Sequence, residues 1–217
     1  MLRLILILSS CGLASPAPAC ETALLLAVDV SGSISNDEYR LQMTGLAEAL
    51  NDPDIIDAIV EGHDALALVQ WSGADLQTLA LDWRRPGNAA EVAALAAKIL
   101  TIKRPYNTAT SIGQAIRYAL PQFGSVPDCL RHILDVSGDG MENDGMTLPI
   151  ARAEAQSAGV TINGIAIEVD ASSSELTDYY RRLVISSDGF VMTAHGLADY
   201  PRAIHSKLTR ELVDPTS

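Results

Sequence analysis

Blocks of apolar residues alternate with amphipathic stretches along most of this chain. Residues 24–30 form a continuous apolar run broken by Asp29, the pattern of a strand buried on both faces of a parallel sheet. Ser35 or Asn36 then caps a helix with Tyr39, Met43, Leu46 and Leu50 on one face. Residues 65–71 predict a second strand and Ser72-Gly73 a turn, while 76–83 alternate as a third strand, antiparallel at the sheet edge. Asn88 and Glu91 have the spacing of a capping box before a helix bearing Val92, Leu95 and Ile99. A helix over 110–120 closes at Pro121, and 133–137 is a fourth strand. A helix over 149–158 stops at Gly159, and a fifth strand covers 161–169. Ser174 caps a helix to 183, a sixth strand follows at 190–194, and the last helix covers 197–212. Strands alternating with helices predict an α/β fold, doubly wound, with helices on both faces of a mostly parallel sheet. No repeat, low-complexity tract or linker divides the chain.

Composition narrows the function. The chain has 217 residues, of which 48% are hydrophobic and 19% charged, so one ordinary core can form. The formal net charge of −12 argues against nucleic acid and against an anionic membrane surface as partners. The first residues read separately. Arg3, an apolar stretch to Ala14 and the small-residue site Ala17-Pro18-Ala19 make 1–19 a secretory signal peptide. Residues 20–217 are then an exported domain, periplasmic or extracellular, with no transmembrane segment. Lipid anchoring is the alternative, because Leu8-Ser9-Ser10-Cys11 resembles a lipoprotein box and Cys20 follows the predicted cut.

The informative chemistry lies in Asp29-Val30-Ser31-Gly32-Ser33, where the first strand ends and the next helix has not begun. Asp29, Ser31 and Ser33 alternate, so their oxygens can turn toward one point, and such oxygens suit a hard divalent cation. Taken by itself, the string equally suits a polar turn with capping serines. Two further segments change the balance. Ala109-Thr110-Ser111-Ile112-Gly113 opens a helix, and Asp135-Val136-Ser137-Gly138-Asp139-Gly140 ends a strand with an Asp-Gly turn.

Together the three segments resemble the metal-ion-dependent adhesion site (MIDAS) of the von Willebrand factor A family, over the whole of 20–217. Asp29, Ser31, Ser33, Thr110 and Asp139 match that family's metal ligands position by position. Two departures stand out: Thr108-Ala109 where the family often has small residues, which makes Thr108 a rival ligand, and Gly138 where it often has Thr. Asp135 is the rival carboxylate, read as a core or supporting group. The resemblance implies a six-stranded sheet of order 3-2-1-4-5-6 with strand 3 antiparallel. Asp29 and Asp139 then meet at the switch point of the strand order, where ligands bind.

By the same resemblance the cation is Mg²⁺, or Mn²⁺ or Ca²⁺, and an Asp or Glu carboxylate of a partner protein completes its shell. Candidate partner-binding residues are Asn36, Tyr106, Asn107, Met141 and Glu142; Glu142 and Asp144 otherwise read as solvated loop acids. With strands one and four adjacent, Cys20 and Cys129 fall near each other at the opposite edge, so a disulfide between them is expected. The expected activity is binding without catalysis. Alternatives are a metal-dependent hydrolase, for which no G-x-S-x-G, Walker A, H-E-x-x-H or C-x-x-C motif is present, and a metal-free scaffold.

Overall fold

The computed structural model describes residues 20–105, 108–170 and 172–214. The expected signal peptide over 1–19 and the candidate partner residues Tyr106 and Asn107 lie outside the described residues. The strands β1 (Thr22–Asp29), β2 (Ala65–Trp71), β3 (Gln77–Arg84), β4 (Arg131–Gly138), β5 (Val160–Glu168) and β6 (Val191–His195) form one sheet of order β3-β2-β1-β4-β5-β6. Among the described residues only the β2–β3 pair is antiparallel. The order reverses between β1 and β4, which pair in register from Thr22 opposite Arg131 to Val28 opposite Ser137.

Among the described residues seven helices cover the two faces: α1 (Asn36–Ala49), α2 (Pro53–Glu61), α3 (Ala89–Ile99), α4 (Ile112–Ala119), α5 (Leu148–Ser157), α6 (Glu175–Tyr179) and α7 (Tyr200–Leu208). Because side chains alternate across a strand, β1 feeds two cores. Leu24, Leu26 and Val28 pack with α1, α2, α3 and α7. Ala23, Leu25 and Ala27 pack with α4, α5 and Tyr180 on the other side. Asp29 continues the second set.

Local chemistry explains most boundaries. Ser35 and Glu38 form a reciprocal capping box at the start of α1. Asn88 caps α3 by accepting from the Glu91 amide. α2 has no counterpart among the predicted elements. Asp52 caps it, Pro53 sits in its first turn, and Ile55 and Ile59 are buried, so it needs only two anchors. α4 begins two residues later than predicted, and Pro121 falls in a tight 3₁₀ segment, Leu120–Ser125, rather than ending the helical path. The amide of Glu175 is capped by Ser173 Oγ, not by Ser174. α6 runs on into a π-type turn at Tyr180–Val184, and α7 does the same at Thr209–Val213.

Cys20 and Cys129 are joined by a disulfide with Cα atoms 4.3 Å apart, where β1 and β4 begin. Among the described residues no helix is long and apolar enough to cross a membrane.

Candidate metal centre

The carboxyl ends of β1 and β4 bring three loops together. Asp29, the last residue of β1, is fully buried. Its Oδ1 accepts from the Ser31 amide at 2.7 Å, which folds the following turn back over the strand end. Ser31 Oγ is 3.1 Å from Ser33 Oγ, and Ser33 Oγ donates to Asp139 Oδ1 at 2.6 Å. A continuous row of oxygens thus runs from the β1 loop to the residue following β4. Thr110 joins from the third loop, with Oγ1 3.5 Å from the position a Cβ on Gly140 would take.

The loops are fixed by backbone contacts. The Thr110 amide donates to Asn143 Oδ1 at 2.9 Å, and the Thr110 carbonyl accepts from the amides of Asn143 and Asp144. Gly32 N donates to the Thr108 carbonyl, binding the β1 loop to the segment before α4. Thr108 Oγ1 lies 3.0 Å from Ser72 Oγ, and the Thr108 amide also donates to that hydroxyl. Its side chain therefore serves the β2 end.

Electrostatics mark the site as a place of negative strain. Burial, and then the charge of Asp139, push the Asp29 carboxyl up to about 7. Burial raises Asp139 as well, against the opposing hydrogen bond from Ser33. Asp29 Oδ2 is buried and has no hydrogen-bond partner among the described residues. A buried carboxylate oxygen without a partner is costly. Short contacts link Asp29, Ser31, Ser33 and Asp139, and Thr110 lies on the neighbouring loop beside Gly140; carboxylate and hydroxyl oxygens of this kind are the donors a hard cation takes, with no thiolate or imidazole among them.

A family model described as "Protein of unknown function (DUF1194)" matches residues 19–216. The chain belongs to that family. No curated protein matches it by sequence. Among solved structures it is similar to proximal thread matrix protein 1 of the mussel byssus, at 15% identity and a TM-score of 0.66 over 89% of this chain and 48% of that one. The same byssus protein is also known with a zinc-occupied MIDAS motif. The open conformation of the pilus adhesin SpaC from Lactobacillus rhamnosus GG is 13% identical, with a TM-score of 0.63 over 89% of this chain and 30% of that one. A von Willebrand factor type A protein from Catenulispora acidiphila is 19% identical, with a TM-score of 0.60 over 88% and 43%. The chain spans less than half the length of each. The fold of this DUF1194 member is that of a von Willebrand factor A domain.

The candidate partner residues are placed unevenly. Asn36 is exposed, and its Oδ1 accepts from Arg104 at 3.3 Å. Met141 is 38% exposed beside the site. Glu142 and Asp144 differ from free, solvated loop acids. The Glu142 carboxylate accepts from the amides of Gly113 and Leu148, at the starts of α4 and α5, where helix dipoles favour an anion. Asp144 Oδ2 accepts from the Ala74 amide at 2.7 Å. Asp135 faces away from the oxygen cluster, into the core beneath α7, and forms an ion pair with Lys207 at 2.9 Å.

Sequence reasoning did not find Arg104. Its guanidinium donates to the carbonyls of Val30 and Ser31, at 2.6 Å for Ser31, and so braces the β1 loop from outside. A cation shortly ahead of the Thr110 segment was its only trace in the sequence. Of the histidines, His132 contacts the Val126 carbonyl and His205 contacts Asp52.

Proposed function

We propose that this chain is an exported, divalent-cation-dependent protein-binding module of adhesion type, with no catalysis of its own. Asp29, Ser31, Ser33, Thr110 and Asp139 would hold Mg²⁺, or Mn²⁺ or Ca²⁺ in its place. The cation supplies positive charge between two acids and a coordination position open to an incoming carboxylate. The protein's own residues do the rest. Ser33 holds Asp139 in place by hydrogen bonding, the Ser31 amide orients Asp29, and the Asn143 and Arg104 contacts keep the three loops at fixed spacing. A partner's Asp or Glu would complete the shell, with Asn36 and Met141 among the flanking contacts.

The buried, unpartnered Oδ2 of Asp29 carries this reading. An acid pushed up to about 7 beside a second acid, with no buried ammonium against it among the described residues, suits a cation taken from solution. The zinc-occupied MIDAS motif of the byssus protein and the adhesin role of SpaC support it from similar folds. Calorimetric titration of Mg²⁺, Mn²⁺ and Ca²⁺ into the purified protein tests it, alongside folded Asp29→Ala and Asp139→Ala variants. Saturable binding lost in both variants is the expected result. Equal behaviour of all three proteins, even with a soluble carboxylate added, would remove the mechanism.

A further inference from the structure

Tyr180 lies behind the oxygen cluster, on the α4 and α5 side of the sheet. It is fully buried at the start of the π-type turn that follows α6. Its ring lies across two glycines on adjacent strands. A Cβ on Gly164 of β5 would stand 2.9 Å from its Cδ1, and a Cβ on Gly138 of β4 would stand 2.7 Å from its hydroxyl. Under 3 Å such contacts are not tolerated, so both positions need glycine for the ring to lie flat on the sheet. The same point above Gly138 is 2.9 Å from Asp29 Oδ2 and 3.3 Å from the Trp71 ring. The phenol therefore reaches over β4 toward the end of β1.

The Tyr180 hydroxyl and Asp29 Oδ2 share a further property. Each is buried, and neither has a hydrogen-bond partner among the described residues. Two such groups facing one small space are costly when left apart and favourable when linked. Burial and the nearby acids hold the phenol well above its usual range, so it stays protonated and can donate.

We propose that Tyr180 is a positioning residue of the cation site, whose hydroxyl donates to the Asp29 carboxylate, directly or through one water, when a cation is held. The inference rests on the cation reading above and adds a residue to it. The hydroxyl fixes the Asp29 carboxylate from behind, while the Ser31 amide fixes it from the loop. It also gives a reason for glycine at 138: the phenol fills the space that a side chain there would occupy.

Tyr180→Phe tests this, because it keeps the ring between the two glycines and deletes one oxygen. Mn²⁺ alone is the probe, read by calorimetry and by electron paramagnetic resonance. The expected result is roughly tenfold weaker Mn²⁺ binding, the usual scale for a group supporting a ligand. The Mn²⁺ spectrum should change, and the metal-free variant should be no less stable than the parent. Replacing Tyr180 by 3-fluorotyrosine, a stronger donor of nearly the same size, should tighten binding even if the phenylalanine variant folds poorly. Parental affinity and an unchanged spectrum in both substituted proteins would overturn the proposal while leaving the cation site standing. Mn²⁺ binding that survives Asp29→Ala would overturn both.

Discussion

Two pairs of acids, one fully buried and one with its second member half-buried, lie at β4 on opposite faces, and they are resolved in opposite ways. On one face Asp135 and Glu211 meet Lys207, a fully buried ammonium that contacts both. Asn163 donates to Glu211 at 2.7 Å, so the chain's own side chains supply the counterion of that group, while Asp135 Oδ1 and Glu211 Oε2 accept no hydrogen bond among the described residues. On the other face Asp29 and Asp139 have hydroxyls, backbone amides and a phenol around them, but no buried ammonium. Arg104, whose charge reaches Asp139, gives its donors to the carbonyls of the loop and to Asn36. Burial pushes both Asp29 and Asp135 up to about 7, and the Lys207 charge opposes the rise only at Asp135. One acid pair carries its counterion in the sequence; the other is arranged to take one from solution.

The comparison breaks most visibly at Lys207. Lys207→Met should leave two buried acids without a counterion and cost about 3–5 kcal/mol of unfolding free energy in urea titrations. A loss below about 1 kcal/mol would mean that Lys207 is not the closing charge.

The next effect is on pH. Asp29, Asp135 and the buried Asp64 are each held near 7 against an ordinary value of 3.8. The folded state therefore keeps protons that the unfolded state releases across that window. Metal-free stability should fall as pH rises from about 4 to about 8, by on the order of 4 kcal/mol for each group that is fully shifted, and then level off. Saturating Mg²⁺ should remove the Asp29 share and leave the shares of Asp135 and Asp64. Thermal melts across pH, with and without Mg²⁺, separate the two faces.

Asp29→Asn sharpens the contrast further. It keeps an acceptor for the Ser31 amide and deletes the charge, so the metal-free protein should gain about 2 kcal/mol at pH 8 while cation binding is lost. A destabilised variant would mean that the chain itself already satisfies that charge. Arg104→Gln is expected to be mildest. It removes charged donors from two carbonyls, costing about 1 kcal/mol and weakening Mg²⁺ binding a few-fold in calorimetry. Unchanged binding would mean that the β1 loop keeps its shape without the brace.

Much of this was legible in the chain. The run before Asp29 is apolar throughout and the 65–71 segment is apolar at every buried position but Gln70, so both strands announce themselves. Ser35 with Glu38, and Asn88 with Glu91, mark helix starts through local hydrogen bonds. The five candidate ligands stand in three short motifs whose order matches the strand order. What escaped acts over long sequence distances or through the backbone. Lys207 looks like an ordinary helix cation, and only the docking of α7 over β4 sets it on Asp135. Tyr180 needs the two strand glycines beneath it, and the odd glycine at 138 was the one hint. Glu142 looked like a loop acid because nothing local shows that two helices begin around its carboxylate.

The Cys20–Cys129 bond has a mechanical consequence. It spans 109 residues of sequence at the edge opposite the oxygen cluster. If the two ends of the domain are pulled apart, tension entering at Cys20 crosses the bond straight into the approach to β4. The enclosed stretch, which at about 3.3–3.6 Å per residue would be the largest store of extension in the domain, cannot pay out until the bond is reduced. Asp29, Ser31, Ser33 and Thr110 all lie inside that loop, and Asp139 lies outside it, directly after the loaded strand. A single-molecule pulling trace of the oxidised protein should therefore be much shorter than that of the reduced one. The tether also keeps most of the oxygen cluster on slack chain while the load passes beside it.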